Sequence, residues 1–192
     1  MGKVNYKKYK NQLREKFSYS CAYCEAQEPE LGGASIGFSI DHYKPKKKFP
    51  DLIDQYENLV YSCLTCNRFK YQYWPNLVQE YRGHIVLHPF IHNIEQHIDK
   101  STPAWCGLTN TGKWNVFRFR LDGSKIVELR KRRKNIQDII LYFENCIKRA
   151  ETLFNDAMNK KNIGTANQIK EEINTFHERI MTLKKEIIGP MD

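Results

Sequence analysis

Residues 21–24 read C-A-Y-C, residues 39–45 read S-I-D-H-Y-K-P, and residues 57–70 read E-N-L-V-Y-S-C-L-T-C-N-R-F-K. These stretches decide the fold. Two Cys-x-x-Cys pairs, Cys21 with Cys24 and Cys63 with Cys66, bracket an Asp-His pair and an isolated asparagine, Asn58. A two-residue spacer lets both thiolates of a pair reach one ion, and tetrahedral zinc takes four sulfurs at about 2.3 Å. The interval between the pairs exceeds the roughly 15–20 residues of a simple zinc ribbon, so folded structure must sit inside the clamp. A lone pair would equally suit a redox centre or buried thiols. Two pairs in one short segment favour a structural zinc.

Working outward, the run Ile36-Gly37-Phe38-Ser39-Ile40 alternates and predicts a strand that delivers Asp41 and His42. Pro45 bars its continuation as a central strand. The second cysteine pair opens a helix expected over residues 64–74, which lack Gly and Pro, with Pro75 as its stop. Asn67 and Lys70 lie three apart and share one face of that helix. Strand, loop and helix would then be pinned by one ion, with Asp41, His42 and Asn67 converging.

D-H-x-x-P, a later N-L, and C-x-x-C-N-x-x-K resemble the HNH, or ββα-metal, endonuclease family in its H-N-N form. The resemblance implies an α+β fold: a zinc-stapled ββα-metal nuclease core, here followed by a C-terminal antiparallel helical hairpin. It implies that His42 is the general base, that Asp41 and Asn67 hold a catalytic Mg²⁺ or Mn²⁺, and that Asn58 braces the loop carrying the histidine. Asn67 stands where some relatives have histidine, which shifts the expected preference toward hard cations. Lys70 and Arg68 are expected at the phosphates of the scissile strand. Farther on, His88-Pro89-Phe90, T-G-K-W-N-V-F-R-F-R-L and V-E-L-R-K-R-R resemble the downstream half of small bacterial HNH proteins, some of which act in anti-phage defence beside an ATPase partner.

The whole chain has 192 residues and a formal net charge of +9, from 31 basic and 22 acidic side chains. That balance suits a polyanionic partner without choosing between DNA, RNA and a membrane; the expected partner is nucleic acid, with DNA favoured. No apolar run approaches the roughly 18 residues of a membrane span. Metal-type cysteine spacing without an export signal points to a reducing cytoplasm. The leftover Cys106 and Cys146 are read as ordinary thiols. The expected division is a nuclease domain over residues 1–122 and a helical arm over residues 123–192.

Residues 5–19 read as a helix, with Tyr6, Tyr9, Leu13 and Phe17 at helical spacing. Residues 25–35 read as a polar loop. Lys44, Lys46, Lys47 and Lys48 directly follow the Asp-His pair and could be a solvated face or phosphate contacts. Residues 83–89 are expected to hold a short strand, and residues 114–120, W-N-V-F-R-F-R, read as another after a turn at residues 109–112. Of His84, His88, His92 and His97, irregularly spaced, His88 is the best placed to act as a ligand. Trp105 and Trp114 suit a core better than base stacking.

The last third carries two matched apolar seams: Ile136, Ile140, Phe143, Ile147, Ala150, Phe154 and Ala157, then Ile169, Ile173, Phe176, Ile180, Leu183 and Ile187. They predict an antiparallel helical hairpin, with Thr165 and Gln168 as a capping box and Gly189-Pro190 as the stop. Such a hairpin is a stabilising arm whose tip or outer face could dock a second copy or an ATPase partner. The cations Arg130 to Lys134 at its start are expected to touch a nucleic-acid backbone. Two other functions compete: a zinc-stapled module that binds nucleic acid or protein without catalysis, which would need the cysteines but not Asp41, His42, Asn58 and Asn67, and a nuclease subunit that cuts only with an ATPase partner.

Overall fold

The computed structural model describes residues 5–34 and 36–188. The expected stop at Gly189-Pro190 lies outside them, as does Ser35 at the end of the expected polar loop. The chain forms two compact units, Met1–Lys131 and Arg132–Asp192. Among the described residues no helix is long and apolar enough to cross a membrane.

In the first unit a 3-10 turn, Tyr6–Tyr9, leads into α1, Lys10–Lys16. Strands β1, Phe38–His42, and β2, Leu59–Cys63, pair antiparallel, with Phe38 opposite Cys63 and His42 opposite Leu59. All five residues of β2 are buried, as expected of a strand covered on both faces. Phe38 stacks on Tyr61 at 4.9 Å, and Leu13 and Phe17 of the N-terminal region belong to the same core.

Helix α2, Leu64–Lys70, leaves β2 at Cys63, whose sulfur caps it by accepting from the Cys66 amide at 3.4 Å. It is shorter than the sequence pattern suggested. Tyr71 takes φ +50° and its amide turns back to the Asn67 carbonyl, so the helix closes before Pro75. A short α3, Leu77–Tyr81, and a two-residue pairing of β3, Ile98–Asp99, with β4, Cys106–Gly107, follow.

Residues 114–120 are not a strand. They lie mostly within α4, Asn110–Phe119, whose cap is the Thr109 hydroxyl accepting from the Gly112 amide at 3.1 Å. The expected turn at 109–112 is this helix start. Gly112, Asn115, Val116 and Phe119 are buried at helical spacing, and that stripe outweighs the apparent alternation. Gly112 is required there, because a Cβ would sit 1.7 Å from the His97 carbonyl oxygen. The segment 83–89 forms no strand. Its backbone bonds to a side chain in place of a partner strand: Asn115 Oδ1 accepts from Leu87 N at 3.0 Å, and Nδ2 donates to Ile85 O at 2.7 Å.

Helix α5, Ser124–Asn159, begins in the first unit and continues through the second. In the second unit it forms an antiparallel hairpin with α6, Ile163–Ile188. Ile136, Ile140 and Ile147 pack with Ile180, Leu183 and Ile187, and Phe143 meets Phe176 at 5.5 Å. The turn uses Lys161 at φ +55°. Asn162, not Thr165, caps α6: its Oδ1 accepts from the Thr165 amide at 3.2 Å.

Candidate active site

The four thiols converge. Cys21, Cys24, Cys63 and Cys66 are buried, with their sulfurs all within 4.8 Å of one another and Cys24 to Cys63 at 3.8 Å. Sulfurs around a tetrahedral zinc stand about 3.8 Å apart, given bonds of about 2.3 Å. The donor set therefore fits zinc. Burial works against charge at Cys21, yet bonds from Cys24, Cys63 and Cys66 hold its thiol well below the usual range. Bonds with Cys21 and Cys63 push the Cys24 and Cys66 thiols up. Without a cation the cluster favours one thiolate over several; a divalent ion is what lets several sulfurs ionise together.

Strand β1 and helix α2 meet in register. Ser39 and Asp41, two apart, share one face of the strand, and Asn67 and Lys70, three apart, share one face of the helix. Asn67 Nδ2 donates to Ser39 Oγ at 2.8 Å. Lys70 Nζ lies 3.2 Å from Asp41 Oδ1 and 3.1 Å from Oδ2, and donates to the His42 carbonyl at 2.6 Å. Tyr23, from inside the first cysteine pair, donates its hydroxyl to Asp41 Oδ2 at 2.6 Å. Burial pushes the Asp41 pKa up, opposed by the Lys70 ammonium and the Tyr23 bond; burial likewise pushes Lys70 down, opposed by Asp41.

His42, next along the strand, has other partners. Its Nε2 lies 3.0 Å from the Ile53 carbonyl, and its ring stands edge-on to Tyr6 at 4.7 Å. A carbonyl only accepts, so Nε2 carries the proton and the Nδ1 lone pair is left for an incoming proton. Burial lowers the His42 pKa, the Ile53 bond opposes this, and the Lys46 ammonium lowers it further. Asn58 ties down the loop after His42. Its Oδ1 accepts from Lys44 N at 2.8 Å, and its Nδ2 donates to Lys44 O at 3.0 Å and Leu52 O at 3.2 Å.

Residues 21–72 match the family model described as HNH endonuclease. This segment is an HNH endonuclease domain. The match takes in both cysteine pairs together with Asp41, His42, Asn58, Asn67 and Lys70, and covers less than half of the chain. No curated protein and no solved structure matches the chain. The domain carries the nuclease class with it: a hydrolase whose substrate is nucleic acid.

Within the HNH domain the structure brings Asp41, Lys70 and Asn67 to one strand–helix face and gives His42 separate contacts. Lys70 is not where a phosphate contact would put it: it is 0 % exposed and bonded to Asp41. Helical spacing could reveal its face but not its depth. Arg68 and Lys46 are exposed, and Lys44 lies 5.6 Å over the rings of both Phe49 and Trp74. Tyr23 and Ser39 escaped the sequence reading. Position inside a knuckle and two-residue alternation before Asp41 were the available signals.

The downstream histidines serve the fold. His88 is buried with Nδ1 accepting from Phe90 N at 3.1 Å, and His92 Nδ1 accepts from His88 N at 3.0 Å. Among the described residues only the four cysteines form a group of three or more His, Cys, Asp or Glu close enough to share a metal. Of the five expected backbone-binding cations, Arg130 is buried, donating to Pro103 O and Leu121 O, with Cys24 O at 3.3 Å and its guanidinium 3.4 Å over Trp105. Arg132 pairs with Glu186 at 3.2 Å. Trp105 is in the core and Trp114 packs against it partly buried, as expected of both.

Proposed function

We propose that the chain is a metal-dependent endonuclease that hydrolyses phosphodiester bonds, with DNA as the favoured substrate. The observation that carries this reading is the imidazole of His42, held inside an HNH match by a backbone acceptor at Nε2 so that Nδ1 is the basic nitrogen. In that state His42 takes a proton from the attacking water. Asn58 fixes the loop on which the imidazole depends. Zinc on the four cysteines would be structural.

Asp41 and Asn67 would hold the catalytic Mg²⁺ or Mn²⁺, both offering hard oxygen donors: Asn67 spends its amide nitrogen on Ser39 and keeps its oxygen. When bound, the divalent ion offsets charge building on the phosphate and the leaving oxygen. Lys70 keeps Asp41 from being an uncompensated buried anion until then. Lys46 and Arg68, both exposed, would meet phosphates.

Supercoiled plasmid incubated with Mg²⁺, Mn²⁺ or chelator tests the reading. Nicking that needs the metal and disappears in His42→Ala, with bound zinc unchanged, is the expected result. An unaltered cutting rate in that variant removes His42 from the base role.

One observation favours a second reading, in which the chain cuts only within a larger assembly. Asp41 and His42 are 5 % and 7 % exposed and Tyr6 stands edge-on to the His42 ring, so in this reading a partner opens the site. The anti-phage role and the ATPase partner implied by the downstream resemblance belong to this reading. Activity that appears only when a neighbouring ATPase is added would select it.

A further inference from the structure

Beyond residues 21–72, α4 presents a stripe that its core packing does not use. Lys113 and Phe117, four apart, share a helical face, Arg120 follows as the left-handed residue that ends the helix, and all three are exposed. Phe117 is 79 % exposed although the opposite face of the same helix is core. Phe69, Lys113, Phe117, Arg118, Arg120 and Asp122 line an open groove of about 660 Å³ here. Three cations against one carboxylate make it basic.

The groove's cations are partly spent and partly free to act. Arg120 lies 5.2 Å over the Phe69 ring. One terminal nitrogen of Arg118 donates to the Lys70 carbonyl at 3.3 Å, while its buried Nε has no hydrogen-bond partner among the described residues. Through Phe69 and the Lys70 carbonyl, the groove abuts α2, the helix that also carries Asn67 and the Lys70 ammonium. It is thus continuous with the element that builds the candidate active site.

We propose that this groove binds single-stranded DNA, with a base stacked on Phe117 and backbone phosphates on Lys113, Arg118 and Arg120. A solvent-facing ring flanked by cations matches a base face beside a phosphate. Duplex bases have their faces covered by their neighbours, so an unpaired strand is the form that can stack. The choice of DNA rests on the nuclease reading above; of the groove's lining only Phe69 belongs to the matched domain.

The test uses the full chain without added Mg²⁺ or Mn²⁺ and a fluorescein-labelled oligothymidylate, checked intact by gel and followed by anisotropy. Phe117→Ala should weaken binding by roughly 5- to 100-fold, the range for one stacked base, and Phe117→Trp should restore it. Lys113→Ala should flatten the salt dependence by about 0.7 in log–log slope, which Phe117→Ala leaves alone. Because Phe117 is exposed, its removal spares the core, and an unchanged melting curve verifies that. Binding within twofold of the parent in Phe117→Ala overturns the groove. So does tighter binding of duplex DNA, RNA or an acidic peptide of matched charge. Plasmid cutting with unaltered Phe117→Ala affinity would sink this inference alone. Strand binding through Phe117 with no cutting under any metal would sink the nuclease reading alone.

Discussion

The two compact units hold themselves together in different ways. In Arg132–Asp192 the contacts repeat: Ile136, Ile140 and Ile147 against Ile180, Leu183 and Ile187, with Phe143 on Phe176. In Met1–Lys131 they do not. A four-sulfur cluster, a buried Asp41–Lys70 pair and the amides of Asn58 and Asn115 hold stretches of irregular backbone. A repeating seam spreads stability over many equivalent residues. A web of unlike bonds concentrates it in a few.

The largest break in that comparison comes from the metal. Zinc binding in small folds supplies on the order of 10 kcal/mol. Stripping it, or making Cys63→Ser, should abolish the near-ultraviolet dichroism of the first unit while much of the helical signal at 222 nm persists. Joint loss of both signals would mean that the hairpin depends on the metal too.

Next is Lys70→Met, which leaves Asp41 buried without its ammonium at a cost of about 3–5 kcal/mol. Urea unfolding should show the loss, and adding Asp41→Asn should recover part of it. No recovery in the double variant would mean that Lys70 acts through its His42 carbonyl bond.

A pH effect follows at about 3 kcal/mol. Burial, with the charges of His92 and Lys16, lowers the His88 pKa to about 4. His88 is then neutral in the fold and takes up a proton on unfolding. Its contribution is full above the ordinary value of about 6.5 and is lost as pH falls toward 4. His42 acts in the same direction. Thermal melts of the first unit between pH 7 and 4 should show the slope, and His88→Gln should reduce it.

The smallest effect belongs to the seam. Ile180→Ala removes one of many similar contacts and should cost about 2 kcal/mol, the low end for a buried isoleucine. A much larger loss in urea titration would show that the hairpin, too, leans on single residues.

The same contrast explains what could be read from the residues. The seams were legible because period and packing coincide, and the cysteine pairs because spacing and ligand chemistry coincide. Residues 114–120 misled because V-F-R-F-R alternates; what decides for helix is the Thr109 cap and the Asn115 side chain, which serves backbone far away in sequence. Segment 83–89 misled for the same reason, since its partner is that amide. Asp41, His42, Asn58 and Asn67 were visible as a pattern. That Lys70 turns inward depends on how closely β1 and α2 approach, which no local pattern encodes.

Arg130 opens a run of five consecutive cations, and in a sequence the five look interchangeable. Its fork spans carbonyls from three separate stretches and stands 3.4 Å over an indole, a set of contacts that a lysine cannot reproduce. A change from arginine to lysine should therefore be tolerated at the exposed Arg132 and rejected at Arg130. A library randomised across 130–134 and selected for soluble protein would return one fixed letter beside variable ones.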